Sequence, residues 1–406
     1  MNTNLARLQR YPFERLSDLK NGLSGPADKS PIAWSIGEPK HPPPDFVAAV
    51  MAENLAGLGA YPPTKGTPEL REAICQWAIK RYGLAGGGLD PEQQVLPVSG
   101  TREALFAFAQ TVVDNTSKPL VLMPNPFYQI YEGAALLAGA EPYFLNCEQS
   151  SGFLPDLDAV PEAVWRRCQL IYVCTPGNPT GAVLPADFFK RLLVLADHFD
   201  FVIASDECYS EIYLDEQAPP LGLLQVCAQL GRDDFSRCIV LNSLSKRSSL
   251  PGLRSGFVAG DAKLIRAFLL YRTYHGCAAS LTVQAVSTAC WNDEAHVLQN
   301  RQLYQQKFRA VMPILAPVLD LPQPSAGFFL WPRIARGSVR ESSVNLDDET
   351  FTRELFQQQH VTVLPGSYLA RNTATGNPGL GRVRMALVAP VEQCVEAAQR
   401  IKAFLA

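Results

Sequence analysis

The sequence has no apolar run approaching the ~18 residues that cross a bilayer, which argues against a helical membrane protein. Neither sign of charge dominates: 36 Lys and Arg stand against 39 Asp and Glu, a formal net charge of -3. That leaves no electrostatic footprint for nucleic acid and no polybasic stretch for an anionic membrane. The N-terminal stretch MNTNLARLQRYPFERL lacks an apolar core followed by a cleavage site, so a cytoplasmic location is expected. Ten cysteines are scattered from Cys75 to Cys394 without one C-x-x-C pair, and many lie in apolar runs such as LIYVCTP. They read as free, buried thiols rather than a disulfide framework. The five histidines are dispersed, and no His, Cys and carboxylate cluster has metal-ligand spacing, so no metal is expected. No G-x-G-x-x-G follows an apolar strand, which argues against a dinucleotide-binding dehydrogenase. Internal repeats and low-complexity tracts are absent too.

What is present is enough apolar material for a large core. The chain has 406 residues, 47% hydrophobic and 18% charged, which suits one large and one smaller domain. Residues 1–45 are rich in Pro and Gly and read as an extended arm ending in SIGEPKHPPP. A helix is expected in DFVAAVMAENLAGLG, then the turn YPPTKGTP, then a helix from about Glu69 to Tyr82. From Val95 onward, short β-branched runs alternate with helical patterns: VLPV, PLVLMP, QLIYVC, FVIASDE, CIVLN and SGFVAG. That alternation predicts an α/β fold with a mostly parallel sheet between helices. The large domain is expected over 46–280. A smaller α+β domain is expected over 281–406, joined by the arm and carrying GFFLWPRI, HVTVLPGSYL, RVRMALV and a last amphipathic helix.

Open α/β sheets bind ligands beyond the carboxyl ends of their strands. The residues that follow each predicted strand are therefore the informative ones. Ser99-Gly100-Thr101-Arg102 opens a helix after VLPV, where free N–H groups and a hydroxyl suit a phosphate; an ordinary N-cap would look the same. Asn178-Pro179-Thr180-Gly181 follows LIYVC; it is a sharp turn, and its Asn amide could donate to a phenolate oxygen. Asp206 ends FVIASD and is followed by Glu207 and Tyr209. A carboxylate at the end of a buried strand needs a partner, either a salt bridge, a helix cap or a protonated pyridine nitrogen. Ser243-Leu244-Ser245-Lys246 follows CIVLN. A lysine desolvated at this edge is a usable amine nucleophile, whereas an arbitrary lysine is simply solvated. Eight residues later Arg254 stands in PGLRSG, where it could complete a phosphate site with Ser243 and Ser245. Each signal alone is modest. A phosphate cradle, a ring-nitrogen carboxylate, donors to a phenolate and a Schiff-base lysine, in this order, together describe pyridoxal phosphate.

The segments YPPTKGTPELREAI, Asn-Pro-Thr-Gly, SDECY and SLSKRSSLPGLRSG resemble the fold-type I pyridoxal-phosphate aminotransferases of class I/II, over nearly the whole chain. The resemblance implies that Lys246 carries the cofactor and then shuttles the substrate α-proton. It implies that Asp206 pairs with the pyridinium nitrogen, that Tyr209 and Asn178 bind the phenolic oxygen, and that Tyr128 stacks on the ring. Gly100, Thr101, Ser243, Ser245 and Arg254 would hold the phosphate, with Arg102 either a further donor or a structural ion pair. Arg384, in VRMALV, would clamp the substrate α-carboxylate, beside Gly37 of the arm. Tyr61 would reach the phosphate of a neighbouring subunit, so a homodimer with shared active sites is implied. Tyr128, Arg384 and Tyr61 could instead be core, salt-bridge and turn residues. Within the class, YPFERLSDLKNG, SIGEPKHPPP and PNPFYQIYEGAALLAGAEPYFLN look most like bacterial N-succinyldiaminopimelate aminotransferases. That likeness implies L-glutamate as donor, a succinylated semialdehyde as acceptor, and a role in lysine and diaminopimelate biosynthesis. Lys40, otherwise a solvated loop lysine, is the candidate partner for the distal carboxylate. An aspartate-, alanine- or aromatic-type aminotransferase, or a β-lyase, would share Lys246 and Asp206. A transcription regulator with an aminotransferase-like domain is disfavoured, because the fold is expected to begin within about 35 residues of Met1.

Overall fold

The computed structural model describes residues 1–84, 88–334 and 347–405. Among these, β1 is Ile32–Ala33, β2 Val95–Val98, β3 Leu120–Asn125, β4 Glu141–Asn146, β5 Cys168–Cys174 and β6 Val202–Asp206. They are followed by β7 Cys238–Ser243, β8 Gly256–Gly260, β9 Phe329–Leu330, β10 Val361–Thr362, β11 Leu364–Pro365 and β12 Val383–Ala386.

Seven strands form one sheet in the order β2-β8-β7-β6-β5-β3-β4. Every neighbouring pair from β7 to β4 is parallel, while β8 runs antiparallel to both β7 and β2. Six strands therefore share a direction, and their carboxyl ends share an edge. The central strands β7 and β8 are buried at every position, and so is β2 at the sheet's other edge from β4. That is why they read as continuous apolar runs rather than alternating ones. β4 is the strand the sequence pattern does not announce. It lies at the sheet edge, and only Leu145 of its six residues is fully buried.

Two apolar clusters cover the two faces of this sheet. One holds Trp77, Phe189, Phe201 and Trp291; the other holds Phe108, Tyr131, Tyr172 and Phe268. The predicted break near residue 280 precedes the helix Leu281–Asn292, whose Val286, Cys290 and Trp291 belong to the large core. The change of core comes in the next helix, Ala295–Leu315, where Phe308, Val311 and Leu315 pack into a separate cluster. That second cluster takes Ile32 and Trp34 from the arm and Leu330, Met385 and Ile401 from the C-terminal part. β11, β12 and β9 make its antiparallel sheet, and β1 pairs with β10. The arm thus packs into this second core. It is not wholly extended: Pro12–Leu19 is a helix, with Pro at its first position, that buries Leu16 against Trp331 and Tyr368.

Candidate active site

A cavity of about 540 Å³ opens at the shared carboxyl edge of the sheet, between the two domains' cores. Its floor is built from strand ends. Asp206 closes β6 and is 5% exposed. Its carboxylate accepts from the Tyr131 hydroxyl at 2.7 Å and from the Cys208 N–H at 3.3 Å. Burial still pushes its pKa up, so the site leaves room for a cationic partner to hold the charge. Tyr131 is itself stacked on Tyr172, with ring centroids 4.8 Å apart, and meets Tyr128 edge-on at 5.8 Å.

Lys246 sits in a helix of one turn, Leu244–Arg247, at the end of β7. Ser243 starts that turn: its hydroxyl accepts from the Ser245 N–H at 3.1 Å. The Lys246 Nζ donates to the Gly37 carbonyl at 2.7 Å and faces the Phe328 and Tyr209 rings at 5.3 and 5.9 Å. Burial lowers its pKa to about 8, with Arg384 and Arg254 adding to the fall and Cys208 and Glu38 opposing it. A substantial fraction of uncharged amine at neutral to mildly alkaline pH follows, which is what a nucleophile or base requires.

Arg384 comes from β12 of the smaller domain, across the cavity from the sheet edge. One guanidinium nitrogen donates to Asn178 Oδ1 at 3.1 Å and another to the Ser35 carbonyl at 2.8 Å. Its Nε is buried without a partner. Burial pushes its pKa down to about 10, and no carboxylate pairs with it among the described residues. The residue lines the cavity, where a bound carboxylate would pair with the guanidinium charge. The Phe329 ring lies under the guanidinium at 4.7 Å and fixes its plane.

At the opposite end, Gly100 and Thr101 start the helix Thr101–Val112. Gly100 has φ +84°, and a Cβ there would run into the Arg254 guanidinium. The glycine therefore provides both the turn and the close approach. Ser243, Ser245, Thr101 and Arg254 all line the cavity here, around the free N–H groups of the helix start. Hydroxyls, backbone donors and one guanidinium converging on one point are the donor set for a phosphate.

Of the predicted site residues, Gly37, Thr101, Arg102, Tyr128, Asn178, Asp206, Tyr209, Ser243, Ser245, Lys246, Arg254 and Arg384 line this one cavity. Gly100 adjoins it through Arg254. Arg102 stacks above the Tyr11 ring at 5.5 Å and makes no ion pair among the described residues. Lys40 is exposed and not on the cavity wall, and Tyr61 is fully exposed. The sequence reading missed Tyr11, Phe13, Glu38, Tyr131, Cys174, Cys208 and Phe329, which also line the cavity. Tyr131 had a usable signal, three residues after Tyr128 at the start of a helix. The fold also brings Glu103, His275 and Cys277 together, with ligand atoms within 4.8 Å, although no spacing in sequence announces it. Glu103 there already accepts from Arg272 and from the Ser99 N–H.

The family model for aminotransferase class I and II matches residues 29–401. An aminotransferase from Neisseria meningitidis has a crystal structure that is 49% identical and superposes with a TM-score of 0.92, covering all of both chains. A probable N-succinyldiaminopimelate aminotransferase from Thermus thermophilus is 27% identical, with a TM-score of 0.82 over 97% of this chain and 99% of its own. An LL-diaminopimelate aminotransferase from Dehalococcoides mccartyi is 30% identical over 92% of this chain and 91% of its own. Members of this family use pyridoxal phosphate. The cavity fits it: a phosphate donor set at one end, a carboxylate for the ring nitrogen at the floor, and a lysine amine between. By its sequence match, its fold and the cavity at its sheet edge, the chain belongs to the pyridoxal-phosphate-dependent aminotransferases of class I and II.

Proposed function

We propose that this aminotransferase exchanges an amino group between L-glutamate and N-succinyl-2-amino-6-oxopimelate. The observation that carries the amino-acid half of this reading is Arg384, a buried guanidinium with no carboxylate partner among the described residues, which lines the same cavity as the Lys246 amine. Pyridoxal phosphate, when bound, supplies an electron sink for charge developing at the substrate α-carbon. Gly100, Thr101, Ser243, Ser245 and Arg254 would hold its phosphate, Asp206 its ring nitrogen, Tyr209 and Asn178 its phenolic oxygen, and Tyr128 its ring face.

The remaining roles belong to the chain itself. Arg384 binds and orients the α-carboxylate, with Asn178 and Ser35 holding two of its nitrogens in place. Lys246, with its uncharged amine, would move the α-proton from the substrate to the cofactor in the first half of a ping-pong cycle and in the reverse direction in the second. Gly37 receives the resting ammonium through its carbonyl and keeps it beside the cavity. Phe13, Phe329 and Leu369 give the entrance apolar surface that limits access of water. Tyr61, fully exposed at the end of an outlying turn, is assigned to the phosphate of a second subunit, which makes the working unit a homodimer.

Support for the succinylated substrate comes from the Thermus relative's name and from Arg102, a cation on the cavity wall beyond Lys246, Arg254 and Arg384, without an ion-pair partner among the described residues. Arg102 replaces Lys40 as the candidate for the distal carboxylate, because Lys40 is not on the wall. A second reading, transamination of unacylated LL-diaminopimelate, is favoured by the relatives of that name and by Glu38, a cavity carboxylate suited to a distal ammonium. Half-reactions followed by the visible absorbance of the cofactor separate the two. The proposal expects N-succinyl-diaminopimelate to react at least about tenfold more efficiently than LL-diaminopimelate. The reverse order selects the second reading, and a preference for aspartate, alanine or an aromatic amino acid removes both.

A further inference from the structure

The motif GEPKHPPP carries a histidine that the reading above leaves without a task. His41 turns inward from the arm and its ring lies 4.4 Å from that of Tyr304. Its Nε2 lies 2.6 Å from the Nζ of Lys307, and its Nδ1 lies 2.7 Å from Asn300 Oδ1. Asn300 then donates through one amide nitrogen to two carbonyls, those of Lys246 at 2.9 Å and Arg247 at 3.0 Å. These are the last carbonyls of the one-turn helix that presents the Lys246 side chain.

The chemistry fixes the direction of this chain. A lysine ammonium only donates, so His41 Nε2 accepts and Nδ1 carries the proton. That N–H requires an acceptor, so Asn300 presents its oxygen to His41 and its NH₂ to the helix carbonyls. Each link has a partner at both ends. Burial and the neighbouring Lys307 lower the His41 pKa to about 4, which keeps the ring neutral and able to accept. Asn300 and Lys307 are 7% and 1% exposed, which limits competition from water. A helix of four residues has no cooperative stability of its own and cannot satisfy its final carbonyls. Ser249 donating to the His41 carbonyl at 2.9 Å ties the following loop to the same anchor.

We infer that His41 and Asn300 are positioning residues for Lys246: the arm histidine orients the asparagine, and the asparagine holds the backbone from which the lysine amine reaches the cavity. The two domains meet at this point. His41 belongs to the arm, Asn300 and Lys307 lie two turns apart on the helix Ala295–Leu315, and Lys246 follows the large sheet. Neither His41 nor Asn300 lines the cavity, so they act through the Lys246 backbone alone.

The test is a single-turnover half-reaction of the cofactor-loaded protein with L-glutamate, or with L-aspartate or L-alanine if glutamate is inert. In Asn300→Ala the saturating rate is expected to fall roughly 10- to 100-fold, because small displacements of a reacting group carry penalties of that size. The half-saturation constant is expected to stay within about threefold, because Arg384 is untouched. Release of cofactor after dilution, read from the visible band and independent of turnover, is expected to quicken about tenfold. His41→Ala follows the same pattern more weakly, and His41→Asn, whose amide N–H takes the place of Nδ1 and can still donate to Asn300, restores most of the rate. If Asn300→Ala does not fold, the two His41 variants carry the test. Folded variants that keep the saturating rate and the release rate within about twofold of the parent overturn the inference. So does a loss of rate that His41→Asn fails to restore.

Discussion

Two lysines in this molecule are buried and pushed down to about 8, yet only one has room to react. Lys246 opens onto the sheet-edge cavity with a single hydrogen bond, to the Gly37 carbonyl. Lys307 is closed off between His41 and the Val388 carbonyl and touches no cavity wall. Burial is the leading cause of the shift in both. Each therefore costs the fold about 3 kcal/mol relative to a solvated lysine. The difference lies in what surrounds the amine. Around Lys246 stand Asp206, Arg384 and a converging set of phosphate donors, all facing open volume. Around Lys307 every nearby acceptor is already used. A perturbed lysine is thus a marker of function only where the groups facing it are unfinished.

That contrast is broken or sharpened by substitution. Lys246→Ala is expected to retain cofactor binding through Asp206 and the phosphate donors while losing at least about 10⁴-fold in the half-reaction rate. Turnover within about tenfold of the parent would remove Lys246 from the chemistry and end the comparison. Asp206→Asn keeps a partner for the Tyr131 hydroxyl but removes the charge. A fall of about 10²- to 10³-fold in the saturating rate is expected, with little change in half-saturation for the amino donor. An unchanged rate would mean that Asp206 acts only as a partner for Tyr131. Arg384→Ala should instead act on binding. The half-saturation constant for the amino acid is expected to rise about 100-fold, the worth of a bidentate charge-assisted pair. A change confined to the rate would place the carboxylate elsewhere.

The large sheet was legible because β5, β6 and β7 are buried on both faces and so read as unbroken apolar runs. The residues at their carboxyl ends were legible for the same reason, since polar groups following such runs stand out. β4 was not, because an edge strand that buries one residue in six has no strong pattern. The arm helix Pro12–Leu19 was hidden by its setting among Pro and Gly, although its Tyr11 and Phe13 flank the entrance to the cavity. Tyr131 and the His41–Asn300 pair were out of reach for a different cause. Their partners are 75 and 259 positions away in sequence, and only the packing of helices brings them together. The break near residue 280 misled because helix Leu281–Asn292 follows the last large strand yet packs back on the large core.

The smallest effect expected is also the one that separates the two lysines most directly. In the loaded protein Lys246 is engaged with the cofactor, which leaves Lys307 as the buried lysine that titrates. Its folded pKa, about 8, lies below the unfolded value of 10.5. Between those limits the unfolded chain binds more protons than the folded one, so this group makes stability rise with pH from about 8 to 10.5. Below pH 8 the ammonium is buried in full and its penalty is constant. Lys307→Met removes that penalty but leaves His41 Nε2 and the Val388 carbonyl without their donor, at about 1–3 kcal/mol each. The two contributions nearly cancel, so the melting temperature at pH 7.5 should move by only a few degrees. The rate should fall no more than about tenfold, since His41 keeps its contact with Asn300. The pH dependence is the sharper readout. Cysteines and tyrosines that burial holds protonated titrate in this range once the chain unfolds, but they are common to both proteins and drop out of the difference. Parent minus variant stability should climb between pH 8 and 10.5. A flat difference would mean that Lys307 is not buried as an ammonium, and the two lysines would then differ in charge as well as in surroundings.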